Sequence, residues 1–274
     1  MLRQRILTAL VLAAVAILGV LWLPSGVLML LVAGIVALGA REWLQLIGLP
    51  GHGARIAFHG AWLVLLLLGW LGGETGFGLL LVLLAALFWL LPVPLWLRRY
   101  AAEPALAQPR EWWVISGLVV LAGGGVAFTV LHDAPGYGPG WVLLLMFLVA
   151  GADIGAFFAG RRFGRVKLAP QISPGKTREG AWGALAATAL VALAGAAALG
   201  VPAARWPAFL LVCALTVIWS ILGDLFESML KRQHGAKDSG TLLPGHGGVL
   251  DRIDSLTAAA PVFLLGLTVF GPWR

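Results

Sequence analysis

Phe77-Gly-Leu-Leu-Leu-Val-Leu-Leu-Ala-Ala-Leu-Phe-Trp-Leu-Leu-Pro-Val-Pro-Leu-Trp-Leu97 contains no charged residue and ends against the basic pair Arg98-Arg99. A helix that crosses a bilayer needs about 20 mostly apolar residues, and this run is long enough. Similar runs recur along the chain, at roughly 5–23, 26–47, 57–73, 112–132, 140–160, 180–200, 206–229 and 252–271. The run at 57–73 is short, and those at 140–160, 206–229 and 252–271 carry acids. Together they predict an all-α integral membrane protein with about nine transmembrane helices. Residues 1–274 read as a single polytopic domain, with helices of 1–135 mainly as scaffold and 136–274 carrying the chemistry. Arg3 and Arg5 before an apolar stretch resemble a signal peptide. The length of that stretch and the runs that follow favour an uncleaved first helix.

Composition agrees. The 274 residues are 60% hydrophobic and 11% charged, with mean hydropathy +0.94. A soluble domain carries about 25% charged residues, and a soluble fold of this composition would expose large apolar patches. The net charge of +7 does not point to nucleic acid, because the cations lie in short loops between apolar runs, where orientation and anionic lipid account for them. Arg3, Arg5, Arg41, Arg55, Arg98, Arg99 and Arg110 fall on one side. So do the basic residues of 161–178 and 231–252. Of the 19 Lys and Arg, only Arg205 and Arg274 fall on the other. The expectation is a cytoplasmic N-terminus, cytoplasmic long loops and an outside C-terminus. Cys213 sits alone in an apolar run and reads as a small buried hydrophobe. Trp22, Trp43, Trp70, Trp96, Trp112, Trp113, Trp141, Trp206 and Trp273 lie near run ends and read as interfacial anchors. Glu42 beside Arg41 reads as an interfacial pair.

The chemistry concentrates in two polar loops, about 161–179 and 230–251. From Ser228 the chain reads Ser228-Met-Leu-Lys231-Arg232, then Lys237-Asp238-Ser-Gly240, then Leu243-Pro244-Gly-His246-Gly247-Gly248-Val-Leu-Asp251-Arg252-Ile-Asp254. Asp224, Glu227, Ser228 and Lys231 recur at helical spacing and share one helix face. Acids inside a membrane helix are costly and are functional candidates by default. The Pro244–Gly248 loop can bring bare backbone to a ligand, where N–H groups suit phosphate oxygens. Asp251 and Asp254 would share a face at the start of the last helix. Carboxylates from two helices at one depth make a hard-oxygen site suited to Mg²⁺, ringed by phosphate-holding Lys231, Arg232, Lys237 and Arg252. The residues therefore predict metal-assisted phosphate chemistry in a polar cleft on the cytoplasmic side. The other loop holds Asp153, Arg161, Arg162, Gly164, Lys167 and Ser173-Pro-Gly-Lys176-Thr177-Arg-Glu179-Gly180. It has the composition of a phosphate-binding turn without the spacing of a P-loop.

Ser228 through Asp254 resembles the signature of the phosphatidate cytidylyltransferase (CDP-diacylglycerol synthase) family, S-x-x-K-R, K-D, P-x-H-G-G, D-R-x-D, with every element present in order. The 161–180 loop resembles that family's G-R-x-F-G and S-P-x-K-T-x-E-G segment. Phe157 stands where the family often has Tyr, and Gly175 and Arg178 replace larger or aromatic residues. The resemblance implies transfer of the cytidylyl group of CTP to phosphatidate, giving CDP-diacylglycerol and pyrophosphate. It implies Asp224 and Asp251 as metal ligands, with Asp254 and Asp238 as further candidates for ligand or support. Asp224, Asp251, Lys231 and Lys237 are the expected catalytic residues. Ser173, Lys176, Thr177, Arg232, His246, Gly247, Gly248 and Arg252 are the expected substrate contacts. Mg²⁺ is the implied cofactor, with room for a monovalent cation such as K⁺, and a homodimer in a bacterial inner membrane is implied as the setting. A CTP-dependent transferase acting on another membrane lipid and, further off, a transporter are the competing readings.

Overall fold

The computed structural model describes residues 2–73, 76–104, 108–242 and 247–271, with backbone alone for residues 2–10 and 12. The helices are α1 (Leu2–Trp22), α2 (Ser25–Leu46), α3 (His52–Gly72), α4 (Phe77–Leu90), α5 (Pro92–Ala102), α6 (Arg110–His132) and α7 (Gly138–Phe163), followed by α8 (Arg178–Ala198), α9 (Trp206–Gln233) and α10 (Leu250–Phe270). Among the described residues, eight segments are long and apolar enough to cross a membrane: α2, α3, α4 with α5, α6, α7, α8, α9 with the short turn before it, and α10. They fall on the second to ninth apolar runs. In α1 the apolar helix Ala13–Trp22 is shorter. Large side chains such as Leu30, Leu71, Leu190 and Val269 point outward, the arrangement expected when the surrounding solvent is lipid.

Several helices outrun their apolar stretch. α7 continues to Phe163 and ends in Arg161 and Arg162, and α9 continues to Gln233 and ends in Lys231 and Arg232. Backbone hydrogen bonding does not stop where hydropathy falls, and cations in the last turn complement the negative end of a helix. α3 starts at His52 rather than at 57. The run that opened the sequence reading is broken at Leu91, and Pro92 starts α5, since its fixed φ and missing N–H suit a first helical turn.

One element departs from the all-α expectation. Between α7 and α8, β1 (Lys167–Ala169) and β2 (Ser173–Thr177) form an antiparallel pair with Lys167 opposite Thr177 and Ala169 opposite Ser173. Pro170 and Pro174 interrupt the segment and would disrupt a helix there, so its backbone groups pair with each other instead.

α6 is the most buried of the membrane segments. α10 packs against α9, α6, α4, α2 and α7, and so joins both halves of the chain, while α8 packs on α7 and α9. Without a hydrophobic drive between helices in lipid, close packing and small residues hold such bundles together. Gly223 is the decisive case: a Cβ there would lie 2.8 Å from both Ala258 Cβ and the Asp254 carbonyl oxygen. Its bare backbone lets α9 and α10 touch beside Asp224 and Asp254.

Candidate active site

The β1–β2 hairpin converts the basic loop into a positioned arm. Arg178 N–H donates to the Val166 carbonyl at 2.8 Å, and the Glu179 carboxylate accepts the N–H groups of Arg165 and Val166 at 3.1 and 3.2 Å. The Thr177 hydroxyl accepts the Gly180 N–H at 3.1 Å and caps α8. Lys176, on the last strand, reaches across to α9 and pairs with Asp224 at 2.6 Å, and the Ser228 hydroxyl donates to the same carboxylate at 3.3 Å. The two polar segments, far apart in sequence, meet at this ion pair.

About two helical turns beyond Asp224 along α9, Lys231 lies between two carboxylates. It contacts Glu227 Oε2 and Asp251 Oδ1, each at 2.5 Å, with little exposure of any of the three side chains. Asp251 Oδ2 accepts the N–H groups of Gly248 at 2.8 Å and Ser239 at 3.0 Å. The Gly248 bond reaches back from the first turn of α10, as the acidic arm of a capping box does. Asp254 is within electrostatic reach of Asp224, Lys176 and Lys231.

A cleft of about 560 Å³ opens between α7, β2, α8 and α9, lined by Asp153, Phe157, Arg161, Lys176, Thr177 and Ile221 among others. That volume lies in the range of small-molecule sites. Asp153 faces Lys176, Asp224 and Arg252 electrostatically. Anionic phosphates would meet cations and the hydrogen-bonding edge of the hairpin here, with the Asp224 carboxylate at the margin.

The predicted residues do not all converge. Lys176, Thr177, Asp224, Lys231, Asp251 and Asp254 belong to the connected region just described. Arg232, Lys237, Asp238 and Arg252 are exposed. Ser173 is half-buried at the far end of the hairpin, paired through its backbone with Ala169, and does not line the cleft. Gly247 has φ +81°, and the Asp251 carboxylate fills the space beside it; His246 lies outside the described residues. Asp224, Asp251 and Asp254 do not meet as one donor set, and no group of three His, Cys, Asp or Glu side chains placed for a metal occurs among the described residues. The reason is local: Asp251 turns toward Lys231 and the backbone of its own loop. In kind, the donors still fit a hard divalent cation. All are carboxylate oxygens, Asp224 and Asp251 each already face an ammonium group, and Mg²⁺ takes only one or two carboxylates when substrate phosphates complete its shell.

Two expectations are corrected. Glu42 is not an interfacial pair with Arg41: it is 5% exposed and accepts hydrogen bonds from Ser239, Val249 and Leu250. Several tryptophans are core residues rather than anchors. Trp43, Trp96 and Trp113 surround Phe226 with ring centroids 5.6–6.3 Å away, with Trp89 at 5.4 Å. Trp43 Nε1–H donates to the Trp113 carbonyl at 2.9 Å, and Trp141 is buried against Phe209. Phe226 sits between Asp224 and Glu227 in sequence, so its cage fixes the rotation of α9 that aims both acids. Glu42 and Ser239 are hydrogen-bonded into the network around Asp251, and no motif marks either; the one sequence signal for Glu42 is an acid inside an apolar run.

Comparison with known proteins matches residues 3–270 to the sequence model of the cytidylyltransferase family. The chain is 43% identical to the phosphatidate cytidylyltransferase of Pseudomonas aeruginosa, covering 96% of each chain. It is 37% identical to that of Haemophilus influenzae, covering 96% of this chain and 97% of the relative. Against the phosphatidate cytidylyltransferase of Brucella suis it is 42% identical over 58% of each chain.

Proposed function

The chain belongs to the cytidylyltransferase family, and from that premise we propose that it transfers the cytidylyl group of CTP to phosphatidate, releasing pyrophosphate and forming the CDP-diacylglycerol used in phospholipid synthesis. Relatives carrying that activity in their names match nearly the full chain. Within the structure, the observation that carries the reading is the Lys176–Asp224 ion pair, which joins both polar segments at the rim of one cleft.

In the reaction a phosphate oxygen of phosphatidate attacks the α-phosphorus of CTP. The bond from that phosphorus to the bridging oxygen breaks, and pyrophosphate leaves with its electrons. The nucleophile is already anionic, so no strong general base is needed. The obstacle is repulsion between two polyanions, and preorganised cations are the main remedy. Lys176 and Arg161 at the cleft, with Lys231, Lys237, Arg232 and Arg252 beyond it, hold the triphosphate and the lipid phosphate in this proposal. Thr177 donates its hydroxyl proton to a phosphate oxygen while its oxygen caps α8. Ser173, Gly247, Gly248 and His246 remain proposed as shapers of the nucleotide site. Asp224 and Asp251 would hold Mg²⁺, with Asp254 beside them and a monovalent cation accommodated nearby. When bound, that ion neutralises phosphate charge and polarises the phosphorus.

The cytoplasm is the side proposed for the cleft, the N-terminus and the long loops, in a bacterial inner membrane and a homodimer. Support comes from the distribution of Lys and Arg and the resemblance of the motifs. The test is purified protein in detergent with radiolabelled CTP and a panel of lipid acceptors. Labelled CDP-diacylglycerol and pyrophosphate are expected. Preference for a polyprenol phosphate or another non-glycerol acceptor moves the substrate assignment to a related transferase, and solute transport by liposomes with no nucleotide-linked lipid overturns it altogether.

A further inference from the structure

We infer that Glu42, in the half of the chain read as scaffold, is a positioning residue for the reaction. Its buried carboxylate ties Ser239 to Val249 and Leu250 at the start of the last helix and through them sets Asp251 and Lys231; the inference rests on the cytidylyl-transfer reading of the site. Oε1 accepts the Val249 N–H at 3.0 Å, and Oε2 accepts the Leu250 N–H at 2.8 Å and the Ser239 hydroxyl at 3.0 Å. Ser239 Oγ in turn receives the Asp251 N–H at 3.3 Å, and the Ser239 N–H donates to Asp251 Oδ2. Asp251 Oδ1 then meets Lys231. An unbroken polar chain thus runs from α2 through Ser239 and Asp251 to Lys231.

The loop is built around this carboxylate. A Cβ on Gly240 would stand 2.5 Å from Glu42 Oε1, and one on Gly248 would collide with Glu42 Oε2 and the Ser239 hydroxyl. These glycines of the motif therefore make room for a carboxylate of the protein itself. α10 begins at Leu250, and its N-cap residue Val249 offers no side-chain cap. Its first N–H groups, which otherwise have no helical partner, are satisfied by Glu42 from another helix. A buried carboxylate is costly without donors. Here two backbone N–H groups at the positive end of a helix and one hydroxyl supply them.

The experiment compares wild type, Glu42→Gln, Ser239→Ala and the double variant. Readouts are steady-state kinetics with CTP and phosphatidate, thermal unfolding, and amide exchange of the 239–251 segment. In Glu42→Gln an amide nitrogen replaces one acceptor and faces a loop donor. Expected is a fall in kcat of about 10–100-fold, with KM for both substrates within about twofold. The unfolding temperature should hold, with faster exchange at Val249 and Leu250. The double variant should lose little beyond Glu42→Gln, because both residues act through one chain. Unchanged kcat, additive losses, or a loss accompanied by an equal fall in stability overturns the inference. Should Glu42→Gln fail to fold, Ser239→Ala decides: it keeps the helix cap and cuts the bridge, so lowered kcat at constant KM supports the inference and wild-type kcat sinks it. Absence of CDP-diacylglycerol from wild type would defeat the functional reading instead, and the exchange arm would still report whether Glu42 holds the loop.

Discussion

Lys231 places one positive charge between two carboxylates, Glu227 and Asp251, and all three side chains are largely withdrawn from solvent. Removing members of this trio has unequal consequences. Asp251→Asn leaves one ammonium facing one carboxylate, so the fold should survive while turnover falls by about 100-fold or more. Lys231→Ala leaves two buried carboxylates without their cation and should cost about 3–5 kcal/mol, read as a lowered unfolding temperature in detergent. Adding Glu227→Gln to Lys231→Ala should restore part of that stability, and no recovery would show that charge is not the cause. Asp224, Lys231 and Asp251 were legible because several acids and cations at helical spacing in an apolar context have few bland explanations. Glu42 was not, because Arg41 offered an adjacent partner, while its hydrogen-bond donors lie 197 to 208 residues away. Local spacing says nothing about a contact of that range.

At the level of elements, apolar run length located the helices well, since burial of backbone polar groups in lipid leaves a helix little alternative. Helix ends were less legible. α7 and α9 carry their basic last turns past the apolar run, and those turns place Arg161 and Lys231 at the site. The hairpin is not legible from local spacing, because its open end is held by contacts outside it, by Glu179 to the 165–166 backbone and by Lys176 to Asp224. Tryptophans at run ends divide between anchor and core for a related reason: a residue near the interface by sequence faces lipid headgroups or a neighbouring helix according to rotation, which the packing of α2, α5, α6 and α9 decides. The α9–α10 contact gives a direct test. Gly223→Ala should destabilise by about 1–3 kcal/mol and reduce turnover at least as clearly, because it pushes Asp254 away from Asp224. Gly34→Ala, at a helix position with nothing within 4 Å of the added Cβ, should leave unfolding unchanged or raise it by up to about 1 kcal/mol. Equal effects at both positions would remove the close-approach explanation.

For the whole molecule, two expected outcomes concern orientation and metal. In a Cys213→Ser background, a cysteine placed at Arg205 should react with a membrane-impermeant maleimide in intact spheroplasts, and one placed at Lys237 only after lysis. The reverse pattern would invert the topology. Chelator should abolish CTP turnover, and Mg²⁺ or Mn²⁺ should restore it. Binding of Mn²⁺, followed by electron paramagnetic resonance, should weaken in Asp224→Asn. Full turnover in metal-free buffer, or undiminished Mn²⁺ binding by that variant, would remove the carboxylates from a metal role.

The amino-acid sequence alone determined that this chain lives in lipid, where its helices run, which two loops hold the polar chemistry and what reaction those motifs resemble. Each follows from composition, from run length or from side chains a few positions apart. Only the tertiary structure decided that Lys176 meets Asp224, that Phe226 sits in a tryptophan cage, and that Glu42 accepts hydrogen bonds from Ser239, Val249 and Leu250. Those contacts join helices remote in sequence. Which faces meet is set by close packing of small residues such as Gly223 and by the need to satisfy buried polar groups, and neither is encoded in local spacing.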